Sequence, residues 1–374
     1  MKKKILFVVT EDWYFLSHRL SLAKYLINKD FEVYVNCKNT GKLEEIKKNN
    51  IYHYDLDSKR KSLSLIYFYK ELITVIKVIK KTNPDIVHLI SMRPIILGMI
   101  ASLFVKSNFC ATFTGMGFLF IKRGLKGIIL RNLIMACLRI CYRLKKAFFI
   151  VQNQDDQFFL SNKLNLKKKY LKIIRGSGID LEHYKYSPEI RKKNIRLAYA
   201  GRILKDKGII WLIEAFKMAK KKYVNLELYI AGSLDKRNPS SLSRNYFNKL
   251  ISTNGVFYIG NIENIKKFWK ESNIAILLSK REGLPLSLLE AAAIGRAIIA
   301  TDVPGSREIA INNFNAIKVT PGNILECSEA ILKLSKNKKL REKYGKNSRK
   351  LVENDMALKN VCEQYYGLYN DMSS

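Results

Sequence analysis

The chain has 374 residues, 48% of them hydrophobic, enough for two domains with real cores, and this together with the absence of any low-complexity tract argues against disorder. Its 67 Lys and Arg against 32 Asp and Glu give a formal net charge of +35, which leaves nucleic acid, an anionic membrane surface or a general lysine bias as competing accounts. The six cysteines are scattered without metal-ligand spacing, as expected of reduced, buried thiols in a cytosolic protein.

Residues 4–10 (KILFVVT) read as a buried parallel strand. A polar and aromatic loop over 11–17 and a helix over 18–28 follow. Strands are predicted at 31–36 and 51–54, and an amphipathic helix at 63–81, ended by Asn83-Pro84. Then come a strand at 85–90 (DIVHLI), a helix at 94–105, a strand at 109–113 and a glycine-bearing loop at 114–117. A basic helix to about 146, a strand at 147–151, a helix at 155–164 and a strand at 171–174 complete the first half. The polar stretch 184–194 reads as an interdomain linker. A second alternation begins with strands at 195–200, 226–231, 256–259 and 274–278, separated by helices from about 207, 241 and 265. A helix opened by Pro285, strands at 297–300 and 316–319, and closing helices follow. The fold class is α/β, two doubly wound parallel-sheet domains facing a cleft, with boundaries at 1–184 and 185–355. The last helix, 356–374, is expected to pack back on the first domain.

No acidic residue occurs between Asp85 and Asp155, an interval that holds Arg93, Lys106, Lys122, Arg123, Lys126, Arg131, Arg139, Arg143, Lys145 and Lys146 among apolar residues. Basic residues flanking a helix-length apolar segment suit an anionic lipid surface better than a DNA groove. No recognition-helix module accompanies the charge, so nucleic acid is not an expected partner. The longest apolar segment, 127–142, is short and broken by Arg131 and Arg139, so a membrane span is not predicted. MKKKILFVVTEDW runs into a charged loop rather than a cleavage site, so no secretory signal is expected.

Two loops carry the chemistry. After the strand at 195–200, Gly201 allows a sharp exit and places Arg202 and Lys207 on a strand-to-helix loop. Two cations beside a helix N-terminus suit a diphosphate, the guanidinium as a fork and the ammonium as a point charge; the competing reading is a pair of solvated surface cations. After the strand at 274–278, Glu282 precedes the Pro285 helix and Glu290 lies inside it. Glu290 suits a ribose hydroxyl pair and Glu282 a second polar group, against an N-cap charge and a solvated helix face. The apolar neighbours Leu288, Leu289, Ala291, Ala292 and Ala293 disfavour the solvated reading for Glu290.

Glu282 and Glu290 with GLPLSLL between them, then Gly295 and the run Pro304 to Glu308, resemble the Glu-x7-Glu signature of family 4 retaining glycosyltransferases. Gly201-Arg202 with Lys207-Gly208 resembles that family's diphosphate-gripping loop, and NNFNAIKVTPG (312–322) its asparagine, glycine and proline-rich strand, with Asn315 where a glycine is usual. SHRL, PDIVHLISMRP, TGMGFLF, VQNQDD and GSGID resemble the branch of capsule, O-antigen and undecaprenyl-diphosphate-sugar transferases. The resemblance implies the GT-B fold and a metal-independent, retaining transfer of a hexose or N-acetylhexosamine from a UDP-sugar to a lipid-linked saccharide. It implies no cofactor, and a place on the inner face of a bacterial plasma membrane. The first domain would bind the acceptor and face the membrane, the second the nucleotide sugar. Arg202, Lys207 and Glu282 are the catalytic candidates. Gly201, Gly283, Leu284, Pro285, Leu286, Ser287 and Glu290 join them around the donor, with Glu290 on the ribose and Glu282 on sugar hydroxyls.

His18 and Arg19, His88, Gly115 and Gly117 are the acceptor-side candidates. Each has a plainer alternative: a helix-start surface pair, a structural strand-end histidine, and a loop with no dinucleotide fingerprint, since Phe120 replaces its last glycine. Ile90 stands where many relatives carry a second histidine, and Asp12-Trp13-Tyr14-Phe15 replaces the glycine pair usual in the first loop, aromatic faces suited to stacking on sugar. Asp55-Leu56-Asp57 has the spacing of a metal-binding pair but is read as a loop. A GT-B epimerase is the other enzymatic reading, disfavoured because none of the four histidines falls in the donor half.

Overall fold

The computed structural model describes residues 2–56, 65–116, 125–190, 193–235 and 238–373, the side chains of Lys126 and Ser373 apart. Two compact units are present: Met1–Gly178 together with Leu358–Ser374, and Ile179–Ala357.

In the first unit the strands are β1 (Lys3–Glu11), β2 (Phe31–Lys38), β3 (Tyr52–Asp55), β4 (Ile86–Ile90), β5 (Asn108–Thr112), β6 (Phe148–Val151) and β7 (Leu171–Ile173). They pair in parallel in the order β3-β2-β1-β4-β5-β6-β7. Both faces are covered. Ile5, Phe7 and Val9 of β1 enter one core while Leu6 and Val8 enter the other, the period-two alternation of a strand between helical layers. The helices are α1 (Asp12–His18), α2 (Leu20–Ile27), α3 (Leu43–Lys47), α4 (Leu65–Thr82), α5 (Met92–Ala101), α6 (Leu125–Lys145) and α7 (Gln154–Leu164).

Residues 11–17, predicted as a loop, extend β1 and then form α1. Asp12 accounts for the difference. Its carboxylate accepts from the backbone N–H groups of Trp13 (2.7 Å), Thr40 (2.7 Å) and Lys42 (3.0 Å), and from the Thr40 hydroxyl. Burial is the largest single effect and raises its pKa, but these bonds together outweigh it and hold the carboxyl below its ordinary value. The loop after β2 thereby fixes the first turn of α1. The predicted single helix over 18–28 is interrupted at Arg19, whose φ of −132° breaks the helical path before α2.

The second unit has β8 (Ile195–Ala200), β9 (Leu226–Ala231), β10 (Val256–Gly260), β11 (Ile274–Leu277), β12 (Ala297–Thr301) and β13 (Ala316–Val319), again parallel, in the order β10-β9-β8-β11-β12-β13. Its helices are α8 (Ile209–Lys222), α9 (Arg244–Ile251), α10 (Ile265–Lys270), α11 (Leu286–Ile294), α12 (Ser306–Ile309), α13 (Ile324–Lys336) and α14 (Lys338–Asp355). The polar stretch read as a linker is tied into this unit. Glu189 accepts from Arg341 through Nε (3.0 Å) and Nη2 (2.7 Å) and from Asn273 Nδ2 (2.7 Å). Asn315, where a glycine is usual, is buried and uses its side chain: Oδ1 accepts from Ile311 N–H, and Nδ2 donates to the Ile309 carbonyl and the Ser348 hydroxyl.

The chain ends in α15 (Leu358–Ser373), which belongs to the first unit. Val361, Cys362, Tyr365, Leu368, Tyr369 and Met372 lie in the same core as Ile5, Phe7 and Phe15.

Candidate active site

The strand order of the second unit reverses between β8 and β11. Connections from β8 run outward through β9 to β10, then return to β11 on the other side of β8. The loops leaving the carboxyl ends of two such strands diverge and open a crevice, the place where parallel α/β sheets take ligands. Those two loops carry Arg202 with Lys207 and Ser279 with Glu282.

The sheet brings Lys207 and Glu282 together. Lys207 Nζ lies 2.5 Å from Glu282 Oε1, and the Ser279 hydroxyl donates to the same oxygen at 2.5 Å. Ser279 is fully buried, and its own carbonyl accepts from the Thr301 hydroxyl. The cluster is therefore fixed from β11 and β12 at once. Two glycines make the close approach possible. Gly208, at φ 73°, caps α8 against the end of β11, where an added Cβ would stand 2.1 Å from the Leu278 carbonyl oxygen. Gly305, at φ 80°, faces the backbone of Glu282 and Gly283, with a Cβ placed 2.2 Å from the Gly283 oxygen. Glu282 N–H in turn donates to the Pro304 carbonyl (3.2 Å).

Arg202 lies on the same loop as Lys207 but half-exposed, its Nη1 3.2 Å from Asp235 Oδ2. Tyr199 donates its hydroxyl to the Arg202 carbonyl (2.7 Å) from inside β8, and burial with the Glu282 charge pushes its pKa up. Pro285 is the N-cap of α11 rather than its first helical residue. The N–H groups of Leu286 and Ser287 therefore have no acceptor within the helix and point beyond the strand ends.

Glu290 does not join Glu282. It turns to α10 and the entry segment, accepting from Trp269 Nε1 and the Tyr184 hydroxyl, each at 3.1 Å. Burial raises its pKa to about 7 against these two hydrogen bonds.

The first unit has its own switch point, between β1 and β4. His18 stacks on Tyr14 (4.4 Å, 5° between planes), its Nδ1 2.6 Å from the Ser17 hydroxyl. Burial and the Arg19 charge lower its pKa to about 4, so the ring is neutral. Arg19 is fully buried, its guanidinium 5.3 Å from the centre of the Tyr365 ring. Its Nε and Nη2 find no hydrogen-bond acceptor among the described residues. Of the aromatic faces over 12–15, Trp13 is 41% exposed with its Nε1 donating to Glu11, while Phe15 is buried.

His88 sits within β4, not at its end, and is fully buried. Nε2 lies 2.7 Å from Thr112 Oγ1, and Nδ1 lies 2.7 Å from the Tyr369 hydroxyl. Both ring nitrogens are occupied, which gives it a part in holding α15 on the sheet. Gly115 follows β5 at φ 125°. Gly117, Lys122, Arg123 and Asp57 lie outside the described residues. Asp55 accepts from Asn39 N–H (3.1 Å). No group of three His, Cys, Asp or Glu side chains able to hold a metal ion occurs among the described residues.

The family profile for group 1 glycosyl transferases matches residues 182–351, and that for 4-like glycosyl transferases matches residues 4–153. Between them they take in both switch points. The chain is a glycosyltransferase of this family. Its curated relatives include the N,N'-diacetylbacillosaminyl-diphospho-undecaprenol alpha-1,3-N-acetylgalactosaminyltransferase of Campylobacter jejuni, 26% identical over 95% of this chain and 97% of that protein. The UDP-Gal:alpha-D-GlcNAc-diphosphoundecaprenol alpha-1,3-galactosyltransferase of Escherichia coli is 24% identical over 95% and 93%. A crystal structure of a glycosyltransferase from Rickettsia africae superposes with a TM-score of 0.79 over 99% of this chain and 98% of that one, at 20% identity. The fold is GT-B.

In this glycosyltransferase three site features escaped the sequence reading. Ser279 was legible only as a strand end; a hydroxyl three residues before an acid is the available signal. Asp235, the partner of Arg202, carries no local signal at all. Ser91, at the end of β4, holds φ 73° and ψ 162°, a region normally left to glycine. Ser91 therefore holds backbone strain beside the first switch point.

Proposed function

We propose that this enzyme is a retaining glycosyltransferase that moves a hexose or N-acetylhexosamine from a UDP-sugar to an undecaprenyl-diphosphate-linked saccharide, in the building of a surface polysaccharide. The observation that carries the reading is the Ser279–Glu282–Lys207 cluster at the second switch point, with Arg202 beside it. The donor diphosphate brings negative charge to a crevice edged by two cations and the N–H groups of α11. Lys207 then exchanges its bond to Glu282 for the phosphate, and Glu282 is released to accept from hydroxyls of the transferred sugar. As the glycosidic bond to the diphosphate breaks, charge grows on the leaving oxygen, and preorganised cations stabilise it without a metal ion. Glu290, where ionised, accepts from the ribose hydroxyls. The names of the relatives supply the acceptor class: both act on diphospho-undecaprenol saccharides, and one takes UDP-galactose.

On the acceptor side, His18, Arg19 and Gly115 edge the first switch point, and His88 supports them from within the sheet. The acid-free basic segment sets the enzyme on the inner face of the plasma membrane, where such acceptors lie.

UDP release from a panel of UDP-sugars, with membrane lipid extract as acceptor, tests the reading. Transfer is expected with at least one donor, unaffected by EDTA, with the donor's anomeric configuration kept in the product. Lys207→Ala and Arg202→Ala are expected to lower kcat/KM by about 10²–10³-fold. Full activity in Arg202→Ala and Glu282→Ala would overturn the site, and absence of UDP release with every donor would overturn the activity.

A further inference from the structure

Helix α6 has two apolar faces. Met135, Leu138, Cys141 and Tyr142 are buried in the core of the first unit. On the other side, Leu125, Ile129, Leu133, Ile140 and Leu144 are 75%, 50%, 63%, 57% and 65% exposed. At 3.6 residues per turn these five fall within about 100° of one another, a continuous stripe along the outside of the helix. The turn Ser102–Phe104 packs beside α6 and adds Leu103 and Phe104, both exposed. A surface helix needs one apolar face; a second, this long, marks an interaction surface.

Charge identifies what covers it. Arg143, Lys145 and Lys146 are exposed at the end of the helix, Arg139 borders the stripe, and no acidic residue lies between Asp85 and Asp155. A second copy docking through the same face would set these cations against each other with no acid in the segment to pair them. An anionic leaflet offers both halves of the match, phosphates for the cations and acyl chains for the stripe. No helix among the described residues is long and apolar enough to cross a membrane, so the helix lies in the interface plane.

We infer that α6 is a membrane-docking element that sinks the Leu125–Ile129–Leu133–Ile140–Leu144 stripe into the acyl boundary of an anionic leaflet, rather than one that adsorbs by charge alone. The inference deepens the membrane-surface part of the proposed function and is independent of whether sugar is transferred.

Flotation of the full-length protein with phosphatidylglycerol–phosphatidylcholine vesicles, and with phosphatidylcholine alone, tests it. The wild type is expected to float with the anionic vesicles. Leu133→Glu/Ile140→Glu and the milder Leu133→Ser/Ile140→Ser are expected to lower the bound fraction about tenfold at low and at moderate salt, with unchanged thermal melts. Arg143→Gln/Lys145→Gln/Lys146→Gln is expected to lower the bound fraction chiefly at low salt and to flatten its salt dependence, because rising salt screens those same charges in the wild type. Leu133→Trp is expected to show quenching by brominated acyl chains beyond that of the native tryptophans. Wild-type protein that does not float, stripe variants that float as well as wild type, or an unquenched Trp at 133 would each overturn the inference. So would a wild-type dimer in sedimentation that the stripe variants convert to monomer. UDP release with a detergent-solubilised acceptor, expected unchanged in the stripe variants, separates this outcome from failure of the transfer reaction itself.

Discussion

Lys207 and Glu282 neutralise each other at the second switch point. In the proposed function that pairing matters, because a lone carboxylate there would repel a diphosphate and a lone lysine would leave the sugar hydroxyls without an acceptor. Glu290 works differently, because burial against Trp269 and Tyr184 sets its protonation. Its folded pKa of about 7 lies above the ordinary 4.5, so the folded state binds the proton more tightly than the unfolded chain. The stability this contributes is complete below pH 4.5 and is lost as pH rises through about 7. The melting temperature of the wild type is therefore expected to fall more steeply across that window than that of Glu290→Gln, measured by thermal melts at matched ionic strength. Donor affinity runs the opposite way: it is expected to weaken as pH drops below about 7, because a protonated Glu290 loses acceptor capacity toward the ribose.

At the scale of elements, the site depends on two helix entries pressed onto strand ends. Gly208 lets α8 begin against the carbonyl of Leu278, so Lys207 reaches across to the β11 loop. Gly208→Ala combines a left-handed φ of 73° with a Cβ 2.1 Å from that oxygen. The substitution is expected to cost about 2–4 kcal/mol in urea unfolding, and to lower donor affinity more than a surface change of equal stability cost. Helix α15 holds the other unit. Its tyrosines cover His88 and Arg19, so part of the first switch point is built by the last residues of the chain.

On the scale of the whole molecule, the two units are interleaved in sequence: the chain leaves the first at Gly178 and returns at Leu358. Six side chains of α15 are buried in the first-unit core. At about 1.5–3 kcal/mol each, their burial amounts to roughly 10 kcal/mol or more, the size of a domain's entire stability. A chain ending at residue 357 is therefore expected to yield a first unit open to limited proteolysis, while residues 179–357 stay resistant. Equal resistance of both units would show that α15 is dispensable.

Residue patterns alone determined the parallel α/β class, most strand positions, the loops that bear Arg202, Lys207 and Glu282, and the helix that bears Glu290. Short β-branched runs and strand-ending glycines are local signals, and doubly wound sheets put functional loops at one edge. The helix over 12–18 was not legible, because the bonds that start it come from Thr40 and Lys42. Nor was the anchoring of residues 184–190, which depends on Arg341, far along the chain. Tertiary structure decided partners. It joined Lys207 to Glu282 and Ser279, and turned Glu290 to Tyr184 and Trp269. It drew His88 into a buried network with Tyr369 and left the outer stripe of α6 uncovered. Each depends on which distant groups compete for a side chain, and that follows from strand order and burial rather than from the local pattern of residues.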